Sequence, residues 1–246
     1  MNGLAHWERS FGRVGWFIPP YIQMGVLARM AAAIEEAGDA FTQSDLAEQL
    51  SDLYSPIGLA TMVLHRYPAI PVIQDYAVTI EEAVEAHFLG LDHVAAAGLI
   101  PVIEGAARRH AQTRDITSAH IKDVITDLAE SCKNDGFGAA DEVASMMDSF
   151  VRFAREALFE RSDRYIFGDG TNRHGITHGA YTDTDYGSPI NFYKTIAAVD
   201  FLTFIASFRA TISWVAPSAT DASLRRAMYY CDLRSIRRAK ALGVTA

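Results

Sequence analysis

Cysteine is scarce in this chain, which has only Cys132 and Cys231 among its 246 residues. Two thiols so far apart in sequence argue against a disulfide framework and against a cysteine-based zinc site. A secretory signal is also lacking, because the N-terminal segment MNGLAHWERSFGRVGW does not place a basic stretch before an apolar run. We therefore expect a protein of the cytoplasm whose thiols are reduced.

Long uninterrupted hydrophobic runs and strand-like alternation are lacking as well. The apolar run over residues 196–215 is broken by Asp200 and Arg209, which favours a buried core helix over a membrane span. No run alternates between apolar and polar residues next to hairpin turn chemistry. Half of the residues are hydrophobic and 21% are charged, a composition that provides a sizeable core and argues against global disorder.

The sequence also lacks an excess of positive charge. The net charge is −8, which argues against a protein that coats nucleic acid by bulk electrostatics. The charge is uneven, however. Residues 1–149 contain 9 Lys and Arg against 21 Asp and Glu, a net of −12, whereas residues 150–246 contain 13 against 9, a net of +4. A phosphate-bearing ligand would favour the second half, although two solvated faces of different sign would give the same numbers.

Helical periodicity is the dominant pattern in the sequence, so we predict an all-α fold. Pro68 and Pro71 interrupt it, and we place a boundary just after them. The prediction is an N-terminal helical subdomain over residues 1–75 and a helical bundle over residues 76–246.

Caps and helix breakers predict individual boundaries. Ser44 and Thr79 are predicted N-caps, and Glu82 completes a capping box with Thr79. Pro101, shortly after Gly98, is predicted to begin a new helix in its first turn. Further helices are predicted over residues 20–37, 117–132, 139–160, 189–215 and 221–241.

The segment 172–179, NRHGITHG, places an arginine, two histidines and an asparagine close together. A guanidinium binds phosphate oxygens in a planar fork, and an imidazole moves protons near neutral pH. The pair suits the handling of a phosphodiester. Asp169 or Thr171 is the predicted N-cap of the helix that carries it.

Structural interpretations of the same segment stay open beside the chemical one. On a helix His174 and His178 lie on one stripe, which is half of a common zinc site, but no acidic residue or cysteine has an obvious third-ligand spacing. The histidines could also be satisfied groups in a core or interface. The segment could equally be a polar helix start without chemistry.

The string from Arg173 to His178 resembles the R-x4-H form of the HEPN signature. The polar loop and apolar helix AAVDFLTFI that follow, and the upstream piece LIPVIEGAARRH, also resemble HEPN-like proteins of bacterial defence and toxin systems. The resemblance covers residues 80–215 and implies a helical bundle of HEPN type. It also implies a homodimer whose two motifs meet, and metal-independent endoribonuclease activity without a cofactor. Other members have lost catalysis and bind nucleotides, RNA or partner proteins.

Roles follow from the resemblance residue by residue. Arg173 would bind the scissile phosphate and stabilise the transition state. His178 would be general base or acid on the ribose 2′-OH or the leaving 5′-oxygen. His174 would orient the substrate or supply a second proton-transfer group. Asn172 would hydrogen-bond the phosphate or fix the motif.

Neighbouring residues complete the predicted site. Glu104 would orient His178 or pair with Arg108 or Arg173, or it would be an ordinary helix charge paired with Arg108. Tyr181 would stack on a base or simply pack. The expected partners are an RNA substrate, a second copy of the chain, and an antitoxin or defence-system protein, with no membrane and no metal. The alternative function is a catalytically inactive helical scaffold.

Overall fold

The computed structural model describes residues 3–135, 141–210, 212–213 and 215–243. Within these ranges every regular element is helical and no strand occurs, which confirms the predicted all-α class. The α-helices are α1 (Gly3–Arg13), α2 (Met24–Ala37), α3 (Gln43–Leu53), α4 (Pro56–Thr61), α5 (Ala77–Phe88), α6 (Asp92–Gln112), α7 (Ile121–Lys133), α8 (Asp141–Phe153), α9 (Arg173–Thr177), α10 (Pro189–Ser207) and α11 (Asp221–Ala241). Single π turns extend α4 over Met62–Arg66 and α8 over Ala154–Leu158.

Helix α10 lies at the centre of the bundle. Every residue from Ile190 to Ser207 is buried, as expected of a helix that is apolar on all sides. It packs against α6 and α3, while α5 packs against α6. The helix ends at Ser207, eight residues before the predicted end, and Phe208 is its C-cap. None of the helices in the described part of the chain combines the length and the apolar character of a membrane-spanning segment.

The helices of residues 1–75 share this core with the rest of the chain. Helix α1 packs on α8, α3 on α10 and α4 on α11, and one cluster of buried hydrophobic residues runs from Leu4 to Leu233. The predicted break around Pro68 and Pro71 is present as two short 3-10 turns, Tyr67–Ala69 and Ile73–Tyr76. The division into 1–75 and 76–246 stays a prediction.

Three predicted helix starts are wrong. The N-cap of α3 is Thr42, not Ser44, because Thr42 and Asp45 form the reciprocal capping box. Thr79 lies inside α5, which begins at Ala77 as a continuation of the preceding 3-10 turn. Helix α2 begins at Met24 and not at residue 20, since Tyr21 has a positive φ of 67° that a helix does not accept.

Pro101 does not begin a new helix. Helix α6 is continuous over 21 residues with Pro101 inside it. Pro101 is exposed while Leu99, Ile100, Val102 and Ile103 beside it are buried. Tertiary packing of this apolar face therefore outweighs the local cost of an interior proline.

One later helix differs from its predicted start. Helix α7 begins at Ile121, after the Thr/Ser cluster that was predicted to open it at residue 117. Helix α8 and its π turn end at Leu158, close to the predicted end at residue 160. Its predicted start at residue 139 lies outside the described residues. The predicted bounds of α11, residues 221–241, are confirmed.

Candidate functional site

The arginine and histidine segment forms α9, a helix of five residues that begins at Arg173 and has Asn172 as its N-cap. Neither Asp169 nor Thr171 is its N-cap, contrary to the prediction. Asn172 is completely buried, and its Oδ1 accepts a hydrogen bond from the Gly175 backbone N–H at 2.8 Å. Its Nδ2 donates to the carbonyls of Ala157 and Glu160 at 3.0 and 2.7 Å. Of its two predicted roles, these contacts correspond to fixing the motif, since Oδ1 and Nδ2 both bind backbone groups.

Asp169 and Thr171 instead belong to a buried polar network that connects the start of the segment to α10. The ammonium of Lys194 on α10, which has no exposed surface, lies 3.0 Å from Asp169 Oδ2 and also donates to Gln43 Oε1 at 2.9 Å. Burial lowers the pKa of Lys194, and Asp169 opposes that shift. Thr171 donates to Asp169 at 2.6 Å. The position of α9 is thereby fixed relative to the central helix.

Arg173 and His178 are in direct contact within one chain. Arg173 Nη1 lies 2.7 Å from His178 Nε2. A guanidinium has no acceptor, so His178 must accept this bond and carries its lone pair on Nε2. His178 follows α9 as its C-cap and is exposed. The five-residue offset between the two residues is bridged by the length of the arginine side chain.

Glu104 on α6 holds the other end of the guanidinium. Its Oε2 lies 3.2 Å from Arg173 Nη2, and its Oε1 lies 3.1 Å from Arg108 Nη2. Both predicted pairings of Glu104 are therefore present at once. Arg108 also donates to the carbonyl of Ala119 at 3.0 Å. In the described part of the chain no hydrogen bond joins Glu104 to a histidine, and the Arg173 guanidinium contacts both Glu104 and His178.

His174 lies beside His178, with ring centroids 5.5 Å apart. Partial burial is the largest cause of a lowered pKa for His174, and the neighbouring cations Arg173 and Lys122 add to it. A lowered pKa keeps this imidazole neutral near pH 7, when it offers one donor and one acceptor.

Gly175 and Gly179 are each required for a different structural reason. A Cβ on Gly175 would lie 2.1 Å from the Tyr181 ring, so the aromatic ring packs directly on the glycine backbone. Tyr181 N–H also donates to the Gly175 carbonyl at 3.1 Å. Gly179 has a φ of 67° just after the helix end, which suits glycine. Tyr181 is half-buried in this packing role, and base stacking by it stays a prediction.

A cleft of about 480 Å³ adjoins Arg173 and His174. Its walls include Glu104, Arg108, Lys122 and Arg155. Lys122 pairs with Glu160 at 3.0 Å and Arg155 pairs with Asp123 at 3.2 Å. Lys122 and Arg155 were not predicted from the sequence as site residues. In the sequence they stand out only as positive charges on two helices of otherwise mixed composition, and no nearby sequence pattern links them to α9.

His174 and His178 have no third partner suited to a metal. Among the described residues, no group of three or more His, Cys, Asp and Glu side chains comes together as a metal site would require. Zinc sites use three or four protein ligands, and His174 and His178 would supply two of them.

Five charged residues and two histidines thus lie close together around α9, whose position Asn172 and Lys194 fix; the charged residues are Glu104, Arg108, Lys122, Arg155 and Arg173. Comparison with family models, with curated proteins and with solved structures finds no match to this chain.

Proposed function

We propose that this protein is a metal-independent endoribonuclease of HEPN type that acts in the cytoplasm as a defence or toxin effector. The observation that carries the proposal is the chain of contacts from Glu104 to Arg173 to His178, at 3.2 and 2.7 Å, beside an open cleft. A guanidinium, which suits phosphate oxygens, here lies next to an imidazole nitrogen that accepts its hydrogen bond. This is the pairing that transesterification of RNA uses.

The reaction assigns one task to each side chain. A bound phosphate draws the Arg173 guanidinium to its oxygens, which frees the lone pair on His178 Nε2. His178 then takes the proton of the ribose 2′-OH, and the 2′-oxygen forms a bond to phosphorus as the bond to the 5′-oxygen breaks. The leaving oxygen takes a proton from water. His174, which is kept neutral, positions the substrate by hydrogen bonds, and the products are a 2′,3′-cyclic phosphate and a 5′-hydroxyl.

A homodimer belongs to this proposal. His178 is exposed at the rim of the site, where a second copy of α9 could face it. RNA is the proposed substrate, because the chemistry requires the 2′-OH. An antitoxin or defence-system protein is the proposed partner that regulates the activity.

The test is cleavage of a labelled RNA by the purified protein with EDTA present. We expect cleavage, a cyclic phosphate end, and no cleavage when the attacked nucleotide carries a 2′-deoxy substitution. Arg173→Ala should lower the rate by about 10²–10³ and His178→Ala by about 10²–10⁴, in line with the usual worth of such groups. Arg29→Ala removes an exposed cation from α2 and serves as the charge-matched control. Equal cleavage by wild type and the Arg173→Ala/His178→Ala variant would sink the proposal.

A second candidate is a catalytically inactive scaffold that binds a nucleotide, RNA or a partner protein. One observation favours it: every cation of the cleft already pairs with a carboxylate, namely Glu104, Glu160 or Asp123. Filter binding of the same RNA separates the two. Saturable binding that Arg173→Ala weakens, without turnover at any enzyme concentration, supports the scaffold.

A further inference from the structure

A cavity of about 290 Å³ lies apart from the cleft of α9. It opens between the segment Pro20–Ile22, the junction of α3 and α4, and residues 216–219. It shares no lining residue with the cleft. Its volume is near the lower end of small-molecule pockets, which run from roughly 300 to 1,000 Å³.

Asp200 of α10 is the single acidic side chain in the wall of this cavity. It is only 6% exposed. The Tyr67 hydroxyl donates to its Oδ1 at 2.8 Å, and Oδ2 has no hydrogen-bond partner among the residues that the structure describes. Oδ2 is not one of the fully buried unpartnered polar atoms of the described residues, and Asp200 lines the cavity, so this oxygen is open to a donor bound there.

The nearest cation does not supply that partner. Arg66 Nη1 donates to the Ser213 carbonyl at 2.7 Å, and Nη2 donates to the Val215 carbonyl. The face of its guanidinium covers the Tyr21 ring, 4.9 Å from the centroid. No salt bridge joins Arg66 to Asp200, so the carboxylate has only a distant counter-charge.

The rest of the cavity wall is largely apolar. A group that fills it must bury hydrocarbon on most sides and present a donor at the Asp200 end. A positive donor satisfies both the free oxygen and the uncompensated charge, whereas a neutral donor satisfies only the oxygen. The apolar residues of the wall include Ile22, Leu53, Ile57, Leu59, Met62 and Pro217.

We propose that this cavity is a binding site for a small apolar primary amine, whose ammonium group donates to Asp200 Oδ2 while its hydrocarbon fills the space between α3, α4 and residues 216–219. The site is separate from the proposed nuclease centre and does not depend on it.

The charge state of Asp200 makes such binding pH-dependent. Burial raises the pKa of Asp200 to about 7, and the Tyr67 hydrogen bond and Arg66 oppose the shift. The other titratable groups that face it are Tyr21, Tyr54 and Tyr67, and burial raises the pKa of each tyrosine above its usual value. These tyrosines stay neutral between pH 6 and 8. Only Asp200 therefore changes charge in that range.

The experiment is titration calorimetry of the full chain with benzylamine, compared with benzyl alcohol. We expect saturable binding of benzylamine at pH 8, at least tenfold weaker binding of benzyl alcohol, and loss of benzylamine binding in Asp200→Asn. The amine stays protonated from pH 6 to 8 while the ionised fraction of Asp200 rises, so the affinity should increase roughly tenfold. Asp52→Asn, an exposed carboxylate beside the lining residue Leu53, is the charge-matched control and should bind as wild type.

A second variant guards against a folding defect in Asp200→Asn. Ala219→Trp places a ring at the exposed mouth of the cavity without touching the carboxylate, and it should also abolish binding. Circular dichroism checks that both variants are folded. Equal affinities for amine and alcohol, or unchanged binding in folded Asp200→Asn or Ala219→Trp, would overturn the proposal.

Discussion

Asn172 and Lys194 show how single buried polar side chains position an exposed site. Each has no exposed surface, and each satisfies several backbone or side-chain partners. Asn172 ties the start of α9 to the end of the α8 extension, and Lys194 ties Asp169 to the central helix. These two residues fix the backbone of α9, although this helix has only five residues. Arg173 can therefore contact both Glu104 and His178.

Gly175 is a residue at which there is no space for a side chain. We predict that Gly175→Ala lowers the free energy of unfolding by about 1–3 kcal/mol, because the new methyl group would overlap the Tyr181 ring at 2.1 Å. The measurement is urea unfolding followed by circular dichroism. Gly175→Ala/Tyr181→Ala should recover part of the loss, since the overlapping ring is then absent.

Gly98→Ala is the matched control. Gly98 lies inside α6 with nothing within 4 Å of an added Cβ. Alanine should stabilise this helix by about 0.5–1 kcal/mol, since glycine costs that much in a helix interior. A Gly175→Ala protein as stable as Gly98→Ala would show that Tyr181 moves aside freely.

The candidate site was predictable at this scale only in part. The chemistry of Arg173 and His178 follows from residue types at short spacing, and their contact needed one long side chain. The N-cap was not predictable. Asp169, Thr171 and Asn172 are all good capping residues. The choice among them depends on Lys194 and on the carbonyls of Ala157 and Glu160, which are distant in sequence.

At the scale of elements, α6 connects the core to the site. Its buried face packs on α5 and α10, and its half-exposed side carries Glu104 and Arg108. Periodicity predicted the helices on both sides of Pro101, and α11 in full. It could not predict that they are one helix, because the packing that overrides a proline involves residues far away in the chain.

Helix α6 should gain stability when Pro101 is replaced. An interior proline removes one backbone hydrogen bond and crowds the preceding turn, at a cost of about 3 kcal/mol or more in a straight helix. We predict that Pro101→Ala raises the free energy of unfolding by about 1–3 kcal/mol, because the exposed position lets alanine fit without repacking. Thermal and urea unfolding measure the change.

Pro56→Ala is the control for that substitution. Pro56 is at the first position of α4, where the missing N–H costs nothing. Its replacement should change the free energy of unfolding by less than about 1 kcal/mol and should not raise it. If Pro101→Ala were destabilising, α6 would depend on a bend that only proline provides.

At the scale of the whole molecule, the opposite charges of the two halves are partly matched inside one chain. Arg226 of α11 pairs with Glu81 and with Glu85, the latter at 3.6 Å, and Arg237 lies 3.5 Å from Asp92. The charge counts predicted a basic second half. These pairs show that part of its charge docks α11 on the acidic first half, so less of it is available to a phosphate-bearing ligand.

Two buried groups give the stability of the molecule opposing dependences on pH. The pKa of Asp200 is about 7 in the folded protein against an ordinary value of 3.8. Its contribution is fully present below pH 4 and is lost as pH rises towards 7. Burial lowers the pKa of His110 from 6.5 to about 4. The folded protein then binds fewer protons there, so the His110 contribution increases as pH rises from 4 to 6.5.

We predict that Asp200→Asn separates the contribution of Asp200 to the pH dependence of stability from that of His110. The asparagine does not ionise, so the variant should become more stable relative to wild type as pH rises from 4 to 7, by about 4 kcal/mol for three pKa units. His110→Gln should do the reverse and lose stability relative to wild type as pH rises from 4 to 6.5. Urea unfolding at half-unit pH steps measures both differences. A constant difference between Asp200→Asn and wild type across this range would mean that Asp200 ionises at its ordinary pKa. The cavity beside it would then be wetter than its apolar wall indicates, because only water in contact with the carboxylate could keep that pKa low.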